Sequence, residues 1–163
     1  MPHLLIIDAP YYEHISKGLR AGAEAVLKAN KATWEYQAVP GVLEIPAALS
    51  MVLSAQVAQE MMAMEMEESG MPPGFTGGAY DGFVLLGCVI RGETAHFDIV
   101  AFESARAIMD LTTEYALALG NGIQTTENEA QALARADPAQ LDKGGHAAQA
   151  ALDMIALRDK LSV

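Results

Sequence analysis

The stretch DGFVLLGCVIRGETAHFDIV, residues 81–100, decides how the rest of the chain reads. Its run FVLL at 83–86 is short, continuous and apolar, which predicts a strand covered on both faces rather than a buried helix. Gly87 and Gly92 bracket an expected turn, and a helical pattern begins at about Thr94. From there Val100, Ser104, Ala107, Ile108, Leu111 and Tyr115 recur on one face. A strand, a glycine-marked loop and a helix N-terminus together form an anion cradle. The first amides of the helix are unpaired, and its macrodipole adds about half a positive charge there. Arg91, Glu93, Thr94 and His96 fall in that cradle, so a phosphate and a proton-transfer group can share one small volume.

On the N-terminal side, HLLIID at 3–8 predicts a first strand that runs into a turn at Pro10, Tyr11 and Tyr12. A helix follows with Ile15, Leu19, Ala23 and Val26 in register, ending near Asn30. Residues 33–39 predict a second strand, broken by Pro40 and Gly41. Pro46 then suits the first turn of the next helix, which leaves Val42, Leu43 and Glu44 on a loop. That helix continues into a methionine-rich extension, with Met61, Met62, Met64 and Met66 set among glutamates and followed by glycines and prolines up to Gly78. Such a cluster suits a soft binding surface, but an overlong helix and a loop explain it more simply.

On the C-terminal side, Gly120, Asn121 and Gly122 predict a turn into a short strand at 123–124. Thr126 and Glu129 have capping-box spacing for a helix through Arg135, which Pro138 stops, and a last helix spans 143–161 with Ala148, Leu152 and Ile155 inward. Four short strands alternating with helices, without repeats, predict one α/β domain over residues 1–163. The architecture is a three-layer αβα sandwich on a parallel sheet. Ligands of such sheets sit beyond the carboxyl ends of the strands. The loops at 10–12, 42–44, 88–94 and 120–122 are all expected there.

A formal charge of −11 leaves too few cations to track a nucleic-acid backbone, so any phosphate must be captured by local geometry. One cysteine, Cys88, permits no intrachain disulfide and no cysteine-based metal set. His3, His14, His96 and His146 lack zinc-site spacing, so no metal is expected. The N-terminus does not read as a signal peptide, and no apolar run approaches the ~20 residues of a membrane span. The expected setting is the cytoplasm, with no membrane partner.

VPGVLEIP (39–46), LGCVIRGETAHFDIV (86–100), NGIQTTEN (121–128) and Arg135 followed by Asp142, Lys143 and Gly144 resemble the lumazine synthases of riboflavin biosynthesis. The motifs occur in family order and span nearly the whole chain. The resemblance implies a four-stranded flavodoxin-like sheet and an active site between adjacent subunits of a pentamer. It also implies a reaction without cofactor or metal. The amine of 5-amino-6-(D-ribitylamino)uracil condenses with 3,4-dihydroxy-2-butanone 4-phosphate, phosphate leaves and the ring closes to 6,7-dimethyl-8-ribityllumazine.

Several residues take roles from this resemblance, and each also has a plainer explanation. His96 matches the catalytic histidine; a lone histidine is more often structural, but an imidazole moves protons both ways near neutral pH. Arg135 matches the phosphate-binding arginine that reaches in from the neighbouring subunit, against an ordinary helix-end arginine. Amides near Glu93 and Thr94 complete the anion site, and Arg91 either neutralises Glu93 or belongs to an ion pair. Tyr11 or Tyr12 takes the place of the aromatic that stacks on the pyrimidine, with Tyr11 favoured. Glu44, with the main chain of Val42 and Leu43, resembles the ribityl-binding segment, although Glu44 also suits a helix N-terminus. The main chain of Cys88, Val89 and Ile90 would read the pyrimidine edge, with the Cys88 thiol merely packed. Asn121 takes a position that is aromatic in some relatives, and Lys143 matches a downstream lysine.

Residues 136–141 lack the glycine-containing kink of relatives that close sixty subunits into a shell, and the chain starts at the first core strand. A pentamer, or a pair of pentamers, is therefore expected over the shell. A non-catalytic flavin- or lumazine-binding relative would keep the pocket and lose phosphate capture, which the joint presence of Thr94, His96 and Arg135 opposes. A generic nucleotide-binding module is opposed by the lack of any glycine-rich phosphate loop.

Overall fold

A computed structural model describes residues 1–68 and 80–161. The elements run β1 (His3–Ala9), α1 (Glu13–Ala29), β2 (Thr33–Ala38), α2 (Glu44–Glu68), β3 (Gly82–Ile90), α3 (His96–Glu114), β4 (Leu119–Thr126), α4 (Glu129–Ala136) and α5 (Lys143–Leu161). The four strands pair in parallel in the order β2-β1-β3-β4, so the sheet reverses its direction of growth between β1 and β3. The expected α/β architecture on a four-stranded parallel sheet is therefore what the chain adopts.

The period-2 alternation of strand side chains splits the core into two halves. Leu4, Ile6, Val84, Leu86 and Cys88 face one side and pack with Leu19, Ala132, Ala148 and Ile155 of α1, α4 and α5. Leu5, Ile7, Phe83 and Leu85 face the other and pack with Ile45, Leu49, Val100 and Ile108 of α2 and α3. Both faces of the central strands are thus apolar, as a sheet covered on both sides requires.

Two glycine-marked turns are corrected. β3 does not stop before Gly87 but continues to Ile90, because Gly87 serves a close approach: a Cβ there would lie 2.9 Å from Cγ2 of Val42. Likewise Gly120, Asn121 and Gly122 lie inside β4. A Cβ on Gly120 would stand 1.8 Å from the Ala147 carbonyl oxygen of α5, so that glycine lets a helix backbone sit directly on the strand. The segment 120–122 therefore belongs to the strand and not to a loop at the carboxyl edge.

The helix starts also shift. α3 begins at His96, two residues later than expected, and Tyr115 caps its end half-exposed instead of joining the buried face. The cap of α4 is Asn128, whose Oδ1 accepts from the Gln131 amide at 2.9 Å, while Gln131 Oε1 accepts from the Glu127 amide at 3.0 Å. The expected pair of Thr126 and Glu129 gives way to this one, and Thr126 is buried in the strand end. Pro46 sits in the first turn of α2 as expected, and Glu44 opens that helix. Past Leu53 that helix leaves the core: Val57, Met61, Met62 and Met64 are exposed, in keeping with an overlong helix. The loop expected at 70–78 lies outside the described residues. Before α5, Asp142 takes a left-handed conformation (φ 41°), so an aspartate makes the bend that glycine often makes, and its Oδ1 accepts from the Gly145 amide.

Candidate active site

β1 ends at Ala9, opposite Gly87, whereas β3 runs three residues further, held on its other side by β4. Cys88, Val89 and Ile90 therefore present a peptide edge with no strand partner on the β1 side. Any buried peptide group seeks a hydrogen-bond partner, so this edge suits the polar rim of a planar ligand. A cleft of about 450 Å³ opens over it, at the topological switch between β1 and β3.

Each wall comes from a different loop. Tyr11 and Tyr12 follow β1, their rings edge to face with centroids 5.0 Å apart. Tyr11 is 74% exposed, whereas Tyr12 packs partly against the core. Pro40, Gly41, Val42 and Leu43 follow β2, turned by hydrogen bonds from the Glu44 amide to Gly41 O (3.1 Å) and from the Ile45 amide to Val42 O (3.3 Å). The Glu44 carboxylate folds over Gly41, where a Cβ would lie 2.8 Å from its Oε2. Gly92, Thr94 and His96 follow β3, with Phe97 and Val100 continuing the wall along α3.

The loop from Gly92 to Ala95 leads into α3, whose macrodipole favours an anion at that end. Its N-cap, Ala95, provides no side-chain acceptor, and Thr94 Oγ1 accepts from the His96 amide at 3.3 Å. Gly92 has open space where a Cβ would stand. The imidazole of His96, a carboxylate (Glu44), an aromatic ring and the residues leading into α3 thus border one cavity. Such a set can hold a planar heterocycle, a polyol and an anion, and can move a proton between them. The Cys88 thiol is poorly suited to that transfer: burial pushes it up to about 11, so it stays protonated near neutral pH. Among the described residues no group of three or more His, Cys, Asp or Glu side chains could hold a metal ion.

Ten of the candidate site residues singled out in the sequence thus share one cleft: Tyr11 and its alternative Tyr12, Val42, Leu43, Glu44, Cys88, Val89, Ile90, Thr94 and His96. Glu93, Asn121, Arg135 and Lys143 do not line it. Glu93 is exposed in the loop above, Asn121 lies in the edge strand β4, and Lys143 opens α5. Arg135 ends α4 with Nη1 donating back to Gln131 O of its own helix at 3.2 Å. Arg91 pairs with Glu127 and Asp98 rather than with Glu93. Phe97 and Val100 escaped notice as wall residues because they continue the buried face of α3, and only the end of that face opens into the cleft.

A model of the 6,7-dimethyl-8-ribityllumazine synthase family matches residues 2–159. The chain belongs to that family. It is 50% identical to 6,7-dimethyl-8-ribityllumazine synthase 1 of Rhizobium meliloti over 98% of this chain and 93% of that one. It is 49% identical to the 6,7-dimethyl-8-ribityllumazine synthase of Novosphingobium aromaticivorans over 99% of this chain and 100% of that one. With the corresponding protein of Agrobacterium fabrum the identity is 48%, over 98% and 97% of the two chains. The family match includes every segment that lines the cleft and also the four singled-out residues that stand outside it.

Proposed function

We propose that this chain forms 6,7-dimethyl-8-ribityllumazine from 5-amino-6-(D-ribitylamino)uracil and 3,4-dihydroxy-2-butanone 4-phosphate, releasing phosphate and water, without metal or cofactor. It does so as a cytoplasmic homo-oligomer, a pentamer or a pair of pentamers. The observation that carries the reading is the unpaired edge of β3 lying in the same cleft as His96, Glu44 and the start of α3.

In this reading the pyrimidine lies against the peptide edge of Cys88, Val89 and Ile90, with Tyr11 stacked on its face and the ribityl chain held by Glu44 and the 42–43 main chain. The phosphate of the second substrate sits at Thr94 and the neighbouring Glu93 amide. His96 accepts and returns protons as the amine adds to the ketone, as phosphate departs and as the ring closes. Arg135, Asn121 and Lys143 are supplied by the adjacent copy, since none borders the cleft of its own chain. A guanidinium from that copy offsets the unfavourable net charge of −11 where the phosphate binds.

One assay tests the reaction: the purified chain is mixed with both substrates after exhaustive chelation, and lumazine absorbance and released phosphate are followed together. Equal amounts of both products are expected. Binding of the pyrimidine without phosphate release would overturn the reading.

A further inference from the structure

We infer that Arg91 is a positioning residue for His96, acting through the first turn of α3; the inference rests on the reaction proposed above. Arg91 does not border the cleft, yet it joins the end of β4, the turn at Glu127 and the first turn of α3 around it. Its amide donates to Thr126 O at 2.9 Å, closing the β3–β4 ladder. Its Nε donates to Glu127 Oε2 at 2.9 Å, and its Nη1 reaches both oxygens of Asp98 at 3.3 and 3.4 Å. The guanidinium lies over the ring of Phe97, 4.0 Å from the centroid.

Phe97 and Asp98 are the two residues that follow His96, so Arg91 holds both neighbours on the C-terminal side of the imidazole. That turn is held weakly on its own, because the N-cap residue Ala95 has no capping side chain and the bond from the His96 amide to Thr94 Oγ1 is long, at 3.3 Å. Phe97 is a cleft wall, and a guanidinium above it fixes the plane of the wall. The planar fork matters here: one cation satisfies two carboxylates and stacks on a ring, which an ammonium cannot do. As an exposed ion pair the cluster adds little to stability, which makes positioning the better account of its geometry.

The test compares Arg91→Met and Arg91→Lys with the unaltered chain by steady-state kinetics, thermal melting and NMR of ring-labelled histidine. Displacing a reacting group by about 1 Å costs up to ~10²-fold, so Arg91→Met should lower kcat about 10- to 100-fold. KM for either substrate should change little, the melting midpoint should stay within a few degrees, and Arg91→Lys should recover only part of the loss. The His96 ring signal should shift or broaden in both variants. Unchanged kcat with an unmoved His96 signal would overturn the inference, as would a kcat loss matched by loss of folded protein. If the unaltered chain makes no lumazine, the proposed reaction fails, while the NMR signal still decides whether Arg91 sets the imidazole.

Discussion

Arg135 folds back on its own helix while His96 borders the cleft, and this separation makes a site shared between copies testable by mixing. His96→Ala should lower turnover by ~10²–10⁴, the usual worth of a general acid–base group. Arg135→Ala should raise KM for the butanone phosphate and leave pyrimidine binding intact. In a ring with head-to-tail contacts, each cleft takes its histidine from one chain and its arginine from the next. Let p be the fraction of Arg135→Ala chains in a randomly assembled mixture. A cleft is intact when its histidine donor is an Arg135→Ala chain and its arginine donor is a His96→Ala chain, with probability p(1 − p). The butanone phosphate is held well below the raised KM, so that clefts lacking the arginine contribute little. Equal amounts should therefore restore about one quarter of the unaltered activity, and a 3:1 mixture about three sixteenths. A cleft built by one chain has no intact combination at any p, so activity would remain at the level of the single variants. Co-expression from two plasmids, or joint unfolding and reassembly, supplies the mixtures, and lumazine absorbance reads the outcome. A flat response to p, with both variants shown by mass to share oligomers, would refute the shared cleft.

Tyr11→Ala should weaken pyrimidine binding ten- to hundredfold, from a stacking loss of ~1–3 kcal/mol, with little change in melting. Tyr12→Ala should lower the melting midpoint as well, because that ring packs on the core; calorimetric binding and melting of both variants separate the two roles. Asp8 is fully buried, and burial, opposed by hydrogen bonds from Ser16 and Tyr36 and by the charge of Arg20, raises its pKa above the usual 3.8. Its stabilising contribution is complete below that value and is lost as pH rises through the raised one. The stability of Asp8→Asn relative to the unaltered chain should therefore increase from about pH 4 to pH 7, and a constant difference in denaturant melts would contradict this. Gly120→Ala should cost ~3 kcal/mol, and so roughly 5–10 °C of melting temperature, by forcing a Cβ against the α5 backbone. Gly92→Ala, with open space around it, should stay within about 0.5 kcal/mol.

The α/β fold was legible because its signals are local. Apolar runs such as 83–86, helical periodicity such as Ile15, Leu19 and Ala23, and Pro46 at a helix start each act within a few residues. The misread positions share a different property. Gly87 and Gly120 are punctuation in a local reading, yet the atoms that demand them belong to Val42 and Ala147, dozens of residues from one and 27 from the other. Close approach and turn geometry select the same residue type, so one sequence cannot separate them without knowing which element crosses above.

The same distinction explains how the cleft divides. Tyr11, Glu44, Cys88, Thr94 and His96 could be grouped in advance because all stand at or near the carboxyl ends of parallel strands, and the topology alone brings those ends together. The extension of β3 past Gly87 changes what that grouping means. Had the strand ended there, residues 88–90 would be an irregular loop whose amides satisfy one another. As a strand paired on one side only, they form a straight peptide edge whose partner must come from outside the fold. Arg135 and Lys143 follow no such rule. They stand on α4 and α5, away from this chain's own cleft, so an account that needs them for phosphate also needs a second copy. Among the described residues no lysine or arginine lines the cleft of this acidic chain, so a guanidinium lent by a second copy is the simplest addition the proposed phosphate site calls for.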